Sequence, residues 1–244
     1  MSIGKSTAWV ASLLVAIGLA VGGWFVGQGI EGFRKADRFI TIKGLAEHDV
    51  KSDYAIWVIT FRRAGSDYGM LQKELTADRD KVIAFLKTQG FDGSSVEPRS
   101  LNITDLLARE YGQQDNLAFR YTGQGAVVIK TDQVDAVAAA VNHQDALIQE
   151  GVQISSDGQY SGQPRYYLRG FNEIKPQLLA QAIGNAREQA ERFAKDAGAR
   201  LGQLRQANQG NIQILDDDGG DQYSSGTTIG KRLRVVSSFI FSLD

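Results

Sequence analysis

A chain of 244 residues with 27 basic and 28 acidic side chains has a formal charge of −1, which leaves no electrostatic case for a nucleic-acid partner. It contains no cysteine, so disulfides, thiol catalysis, thiolate metal sites and cysteine redox chemistry are excluded together. The length allows one or at most two domains with a sizeable buried core.

The first element is apolar. From Ser6 to Ile30 no residue carries a formal charge, and Lys5 and Glu31 bracket the run. As a helix this run would extend roughly 37 Å, enough to cross a hydrocarbon core of about 30 Å. Gly18-Leu19-Ala20 resembles a cleavage site and leaves an export signal as the alternative, but apolar residues resume at Val21 and continue through Trp24, Phe25 and Val26. The reading is a retained single transmembrane helix, an anchor over residues 1–31 that touches the lipid bilayer through residues 8–30. Gly18 and Gly22, and Gly23 and Gly27, stand four apart and are the candidate positions for packing between anchors. Arg34, Lys35 and Arg38 lie in or beside a juxtamembrane linker over residues 32–38. Counted alone they would keep the large domain cytoplasmic, although large domains are translocated largely regardless of nearby charge.

Residues 39–244 form the remaining domain. Alternating β-branched and aromatic residues predict strands from Phe39 to Gly44 and from Ala55 to Arg62, with the turn between Asp49 and Asp53. Asp67 is placed to cap a helix carrying Leu71, Leu75, Val82 and Leu86, which Gly90 ends. A second strand pair spans Val96–Leu107 and Leu117–Lys130. Asp132 then caps a helix with Val134, Val137, Val141 and Ile148 on one face. After Val152–Ser156 and a turn-rich stretch comes the longest helix of this domain. Pro176 falls in its first turn, Gly198 follows its end, and Leu179, Ile183, Ala186, Ala190, Phe193 and Ala197 form its apolar stripe. Gln206–Leu215 and Lys231–Phe241 are predicted to close the chain as strands. The expected class is α+β, with the transmembrane helix followed by an antiparallel sheet and helices packed on it, in the order β-β-α, β-β-α, β-α-β-β.

Candidate chemistry is sparse. His48 and His143 have no ligand-type residue near them at metal spacing. Asp216, Asp217, Asp218 and Asp221 cluster on a glycine-bearing loop, and Asp216, Asp218 and Asp221 are the metal candidates. A calcium loop would place glycine sixth and glutamate twelfth, where Asp221 and Thr227 stand, so a solvated hairpin tip is the preferred reading. Arg62, Arg63 and Trp57 could form a ligand contact, though a tryptophan in an alternating strand is more often core. No phosphate-binding, dinucleotide-binding or nucleophile-elbow motif is present. No catalytic residue or cofactor is assigned.

Two stretches carry a family likeness. ITIKGLAEHDVKSDYAIWVITF holds Gly44, Val50, Asp53 and Ala55. IKPQLLAQAIGNAREQAERFAKDAGARLGQLRQANQGNIQI holds Pro176, Asn185, Ala186, Arg187, Ala190, Ala194, Gly198, Leu201 and Gly202, and RLRVVSSFIFSL follows it. With these residues the chain resembles the SIMPL-domain proteins, a group that includes periplasmic proteins linked to oxidative-stress defence and a periplasmic immunogenic protein. Ser52 stands where many members carry proline. The resemblance implies a periplasmic domain on a bacterial inner-membrane anchor and a ring- or cage-like homo-oligomer. It supplies no catalytic residues. The expected function is therefore a non-enzymatic envelope scaffold that serves stress defence, with copies of itself as partner. The alternative is a module binding a small molecule or peptide.

Overall fold

The computed structural model describes residues 5–36, 38–108, 117–155, 162–219 and 226–244, with side chains in the N-terminal helix α1 (Lys5–Ala36) placed at Trp9 and over residues 13–28. The chain divides into two units. The larger comprises Glu47–Pro176 and Gln213–Arg234, the smaller Met1–Ala46, Gln177–Ile212 and Val235–Asp244. Two long strands, β1 (Phe39–Lys51) and β10 (Gly230–Leu243), contribute to both.

In the larger unit, β2 (Tyr54–Gly65) buries Ala55, Trp57, Ile59 and Phe61 on one side, as a period of two requires of a strand with one covered face. It pairs antiparallel with β5 (Tyr121–Thr131) without a register break, from Ala55 opposite Thr131 to Gly65 opposite Tyr121. The pieces β3 (Val96–Pro98) and β4 (Asn102–Asp105) extend the sheet beside β5, and β6 (Ile154–Ser155) and β7 (Arg165–Tyr167) extend it beside β2. Helix α2 (Tyr68–Thr88) begins where Asp67 accepts the Met70 N–H at 2.8 Å. It buries Leu71, Leu75, Val82 and Leu86 as their spacing predicts, and the chain leaves it through Gly90 at φ +92°. The single helix expected after Asp132 is two, α3 (Val134–Val141) and α4 (Asp145–Gln149). No side chain caps α3, and the interruption shifts the phase of the second piece, so Leu147 enters the core and Ile148 is exposed.

In the second sheet β1, β10 and β8 (Leu201–Asn208) lie side by side, and β9 (Ile212–Asp216), almost wholly part of the larger unit, also pairs with β10. The final strands thus number three where two were expected, and the antiparallel strands build two sheets where one was expected. Helix α5 (Phe171–Asp196) buries Leu178, Ala182, Ala186, Ala190 and Ala194. Of the predicted stripe only Ala186 and Ala190 are in this row, while Ile183 is 40% and Phe193 57% exposed. A row of constant four-residue spacing drifts about 40° around the helix at each step, so the buried line follows the twist of a sheet and not a straight face. The helix also starts five residues before Pro176, which therefore sits inside it. Gly44 makes the close packing of helix on strand possible, since a Cβ there would lie 2.1 Å from the Ala182 carbonyl oxygen.

The N-terminal expectation is corrected. Among the described residues no helix is long and apolar enough to cross a membrane. The transmembrane anchor over residues 1–31, its bilayer contact through residues 8–30 and the single-pass inner-membrane location therefore do not stand. Helix α1 continues to Ala36, through most of the segment expected to be a linker.

Candidate functional site

Beside the acidic loop lies the most deeply buried ion pair among the described residues. Asp216 ends β9 and Lys231 lies near the start of β10. Their side chains are 1% and 3% exposed and form an ion pair. The Asp216 carboxylate also accepts the N–H of Gly226 on both oxygens at 3.1 Å, the Thr227 N–H at 2.9 Å and the Thr227 hydroxyl at 2.8 Å. A carboxylate has about four acceptor positions, and these four donor groups use them. Burial pushes the Asp216 pKa up, but the Lys231 bond and the Gly226 and Thr227 donors outweigh it and hold the group down at about 2. Asp216 is thus engaged in fastening the loop at Gly226 and Thr227 beside β9 and β10. Of the other metal candidates, Asp218 is exposed and Asp221 lies outside the described residues. Among the described residues no group of three or more histidines or carboxylates could hold a metal ion.

Beside this pair lies a cleft of about 170 Å3 walled by Tyr166, Tyr167, Leu168, Ile214 and Gly226. It presents aromatic and aliphatic walls next to charges that already neutralise one another. A second cleft of about 240 Å3 is polar, lined by Arg62, Asn102, Thr104, Thr122, Gly123 and Gln124. The pleat explains it. Gln124 stands opposite both Arg62 and Asn102, and Thr122 opposite Thr104, so all five side chains share one face. Arg62 donates from Nη2 to Ser155 Oγ at 2.5 Å.

The neighbouring residues named from the sequence go elsewhere. Arg63 points to the opposite face, as successive strand residues must. There Nε and Nη2 bind Asp78 at 2.7 and 2.9 Å, and Nη2 also donates to the Gly151 carbonyl at 2.7 Å. Trp57 is fully buried in the core, out of reach of a ligand. His48 is on β1, and His143, beyond α3, has Nδ1 3.1 Å from Gln89 Oε1. Around Gly18, Gly22, Gly23 and Gly27 a Cβ would meet nothing within 4 Å.

The residues that carry the family likeness have mechanical roles. Asp53 accepts the N–H groups of Arg169 and Gly170 at 2.7 and 2.6 Å, fixing the chain where it enters α5, and the Arg169 guanidinium lies 3.8 Å from the centre of the Tyr54 ring. Asn185 on α5 donates from Nδ2 to the Leu45 carbonyl at 2.6 Å. Ala186, Ala190 and Ala194 belong to the buried row, and Gly198 turns the chain out of α5 at φ +70°. At Gly202 a Cβ would lie 2.3 Å from Ser242 Oγ. Sequence reasoning found these positions but assigned them no task, because a hydrogen bond between residues more than a hundred positions apart has no local signature.

No curated protein matches the chain. A family model does, that of SIMPL, a protein of unknown function (DUF541), and it matches residues 40–229. The match begins within β1 and ends at Ile229, whose carbonyl accepts the Ser52 N–H at 2.8 Å, so it takes in Gly44, Asp53 and Asn185 with the whole of α5 and stops just before β10. This chain belongs to the SIMPL family.

Proposed function

We propose that the protein is a non-enzymatic scaffold that works as a homo-oligomer. One observation carries this reading. The inner face of the smaller sheet is covered by α5, whereas its outer face exposes Phe39 at 54%, Leu45 at 39% and Val236 at 39%. An antiparallel sheet with one wet face normally alternates apolar inside with polar outside, and apolar groups gathered on an uncovered face favour association. The absence of catalysis is part of the proposal, supported by the engagement of Asp216, Asp53 and Asp78 in fastening the fold. Native mass spectrometry of the full chain, kept in a mild detergent that covers the exposed side chains of α1, tests it. A multiple of the chain mass that Leu45→Glu and Val236→Glu reduce to single chains is expected; a wild-type protein monomeric at micromolar concentration overturns it.

A binding role is the second reading, favoured by the polar cleft around Arg62 and Gln124. Thermal-shift screening of small polar molecules tests it, since a ligand specific for the folded state raises the melting temperature.

A further inference from the structure

The backbone of β1 has a parity that singles out one of its edges. At one end the Leu243 N–H donates to the Arg38 carbonyl at 3.0 Å, and at the other the Ser52 N–H donates to the Ile229 carbonyl at 2.8 Å. Between these ends Glu47 pairs with Arg234 and Asp49 with Arg232, and all four contacts fit a single antiparallel register. In such a ladder alternate residues exchange both hydrogen bonds with the partner strand, and the residues between them point their N–H and C=O groups the other way. The even-numbered residues of β1 therefore serve β10, and Phe39, Thr41, Lys43 and Leu45 turn their backbone groups to the opposite edge.

Among the described residues β1 has β10 as its one strand neighbour. Its outward edge is closed at one place, because the Leu45 carbonyl accepts the Asn185 amide, in agreement with the parity. On the other side α1 ends at Ala36. The open run is thus Phe39, Thr41 and Lys43, centred on Thr41. The far edge of the sheet is different in kind, since β8 meets β10 with register shifts between Ile240 and Phe241 and between Phe241 and Leu243. Bulges of this type twist an edge away from further pairing.

We infer that a second copy of this chain pairs antiparallel with this edge about a two-fold axis through Thr41, joining two four-stranded sheets into one. This rests on the self-association proposed above and adds to the apolar outer face a second contact, at the strand edge. The side chains select the centre. About Thr41, Phe39 of one copy stands opposite Lys43 of the other, so an apolar ring meets an aliphatic stem. About Lys43 two ammonium groups would oppose each other, which is destabilising. The joined sheet would also bring the exposed outer-face residues Phe39 and Leu45 of both copies onto one continuous surface.

The absence of native cysteine makes disulfide mapping unambiguous. Directly opposite residues of a hydrogen-bonded antiparallel pair have Cα atoms about 5.5 Å apart, within disulfide range. Full-length Thr41→Cys in the same detergent should oxidise to a covalent dimer, and so should the double variant Phe39→Cys with Lys43→Cys, while Lys43→Cys alone should stay uncrosslinked. A wild-type oligomer whose Thr41→Cys variant remains uncrosslinked overturns this contact and leaves the scaffold reading standing. A monomeric wild type overturns both. Thr41→Pro removes an outward N–H without touching the ladder to β10; provided its circular dichroism matches wild type, it should dissociate the oligomer, and persistence of the oligomer counts against the edge.

Discussion

Replacing Asp216 by alanine tests the role assigned to the deepest charge pair. The substitution leaves the Lys231 ammonium, 3% exposed, without its counter-charge, and deprives the Gly226 N–H and the Thr227 N–H and hydroxyl of their acceptor. Removing one partner of a buried ion pair costs about 3–5 kcal/mol, because the remaining charge is stranded. In a unit of this size each kcal/mol lowers the melting temperature by about 2–4 °C, so a fall of roughly 6–20 °C is expected. The double variant Asp216→Ala with Lys231→Met should recover a good part of it, since the stranded charge is gone. The acid branch of the stability curve gives an independent measure. The folded pKa of Asp216 lies at about 2, below the ordinary 3.8, so the contribution is fully present above pH 4 and is lost as the pH falls towards 2. At about 1.4 kcal/mol per unit that amounts to roughly 2 kcal/mol. Urea denaturation at pH 7 and in steps down to pH 2, on wild type and variants, reads all of this. A loss below about 1 kcal/mol for Asp216→Ala at pH 7, or an acid branch identical in wild type and variant, refutes the reasoning.

Gly44→Ala should destabilise the smaller unit by about 1–3 kcal/mol, the usual range for overpacking, because the new methyl meets the Ala182 carbonyl oxygen; chemical denaturation measures it. Asp53→Ala removes the acceptor for two N–H groups at the entry to α5 and should cost about 1–2 kcal/mol by analogy with a helix cap, with earlier amide exchange at Arg169 and Gly170. Arg63→Ala strands Asp78, 1% exposed, and should cost about 3–5 kcal/mol. Arg62→Ala, on the exposed face of the same strand, should change the midpoint far less, and equal losses for the two arginines would contradict their placement.

Local patterns in the sequence were most informative where one element decides the outcome. The α2 helix was legible from Asp67 to Gly90 because a cap, a stripe and a left-handed glycine are local signals. Helix α5 was legible as a helix but not in its buried face. Propensity marks Ile183 and Phe193 as apolar, whereas the choice of Ala182 and Ala194 depends on how closely a backbone can approach Gly44. The acidic loop was visible as a cluster and was weighed for metal binding. Lys231, fifteen positions away, decides the role of Asp216, and nothing in the aspartates themselves points to it. The apolar N-terminal run was legible as a helix, and the membrane crossing read from its length was not upheld.

Composition, the spacing of apolar residues and the punctuation by glycine and aspartate determined that this is an α+β chain without thiol chemistry, because each depends on charge, valence or backbone preference within a few residues, and the motif residues around Gly44 and Asn185 carried the resemblance to the SIMPL family. The tertiary structure decided which alanines are buried, which aspartate is neutralised and which edge of β1 is left open. Each of those depends on groups separated by tens to hundreds of residues, and only the folded backbone sets the distances between them.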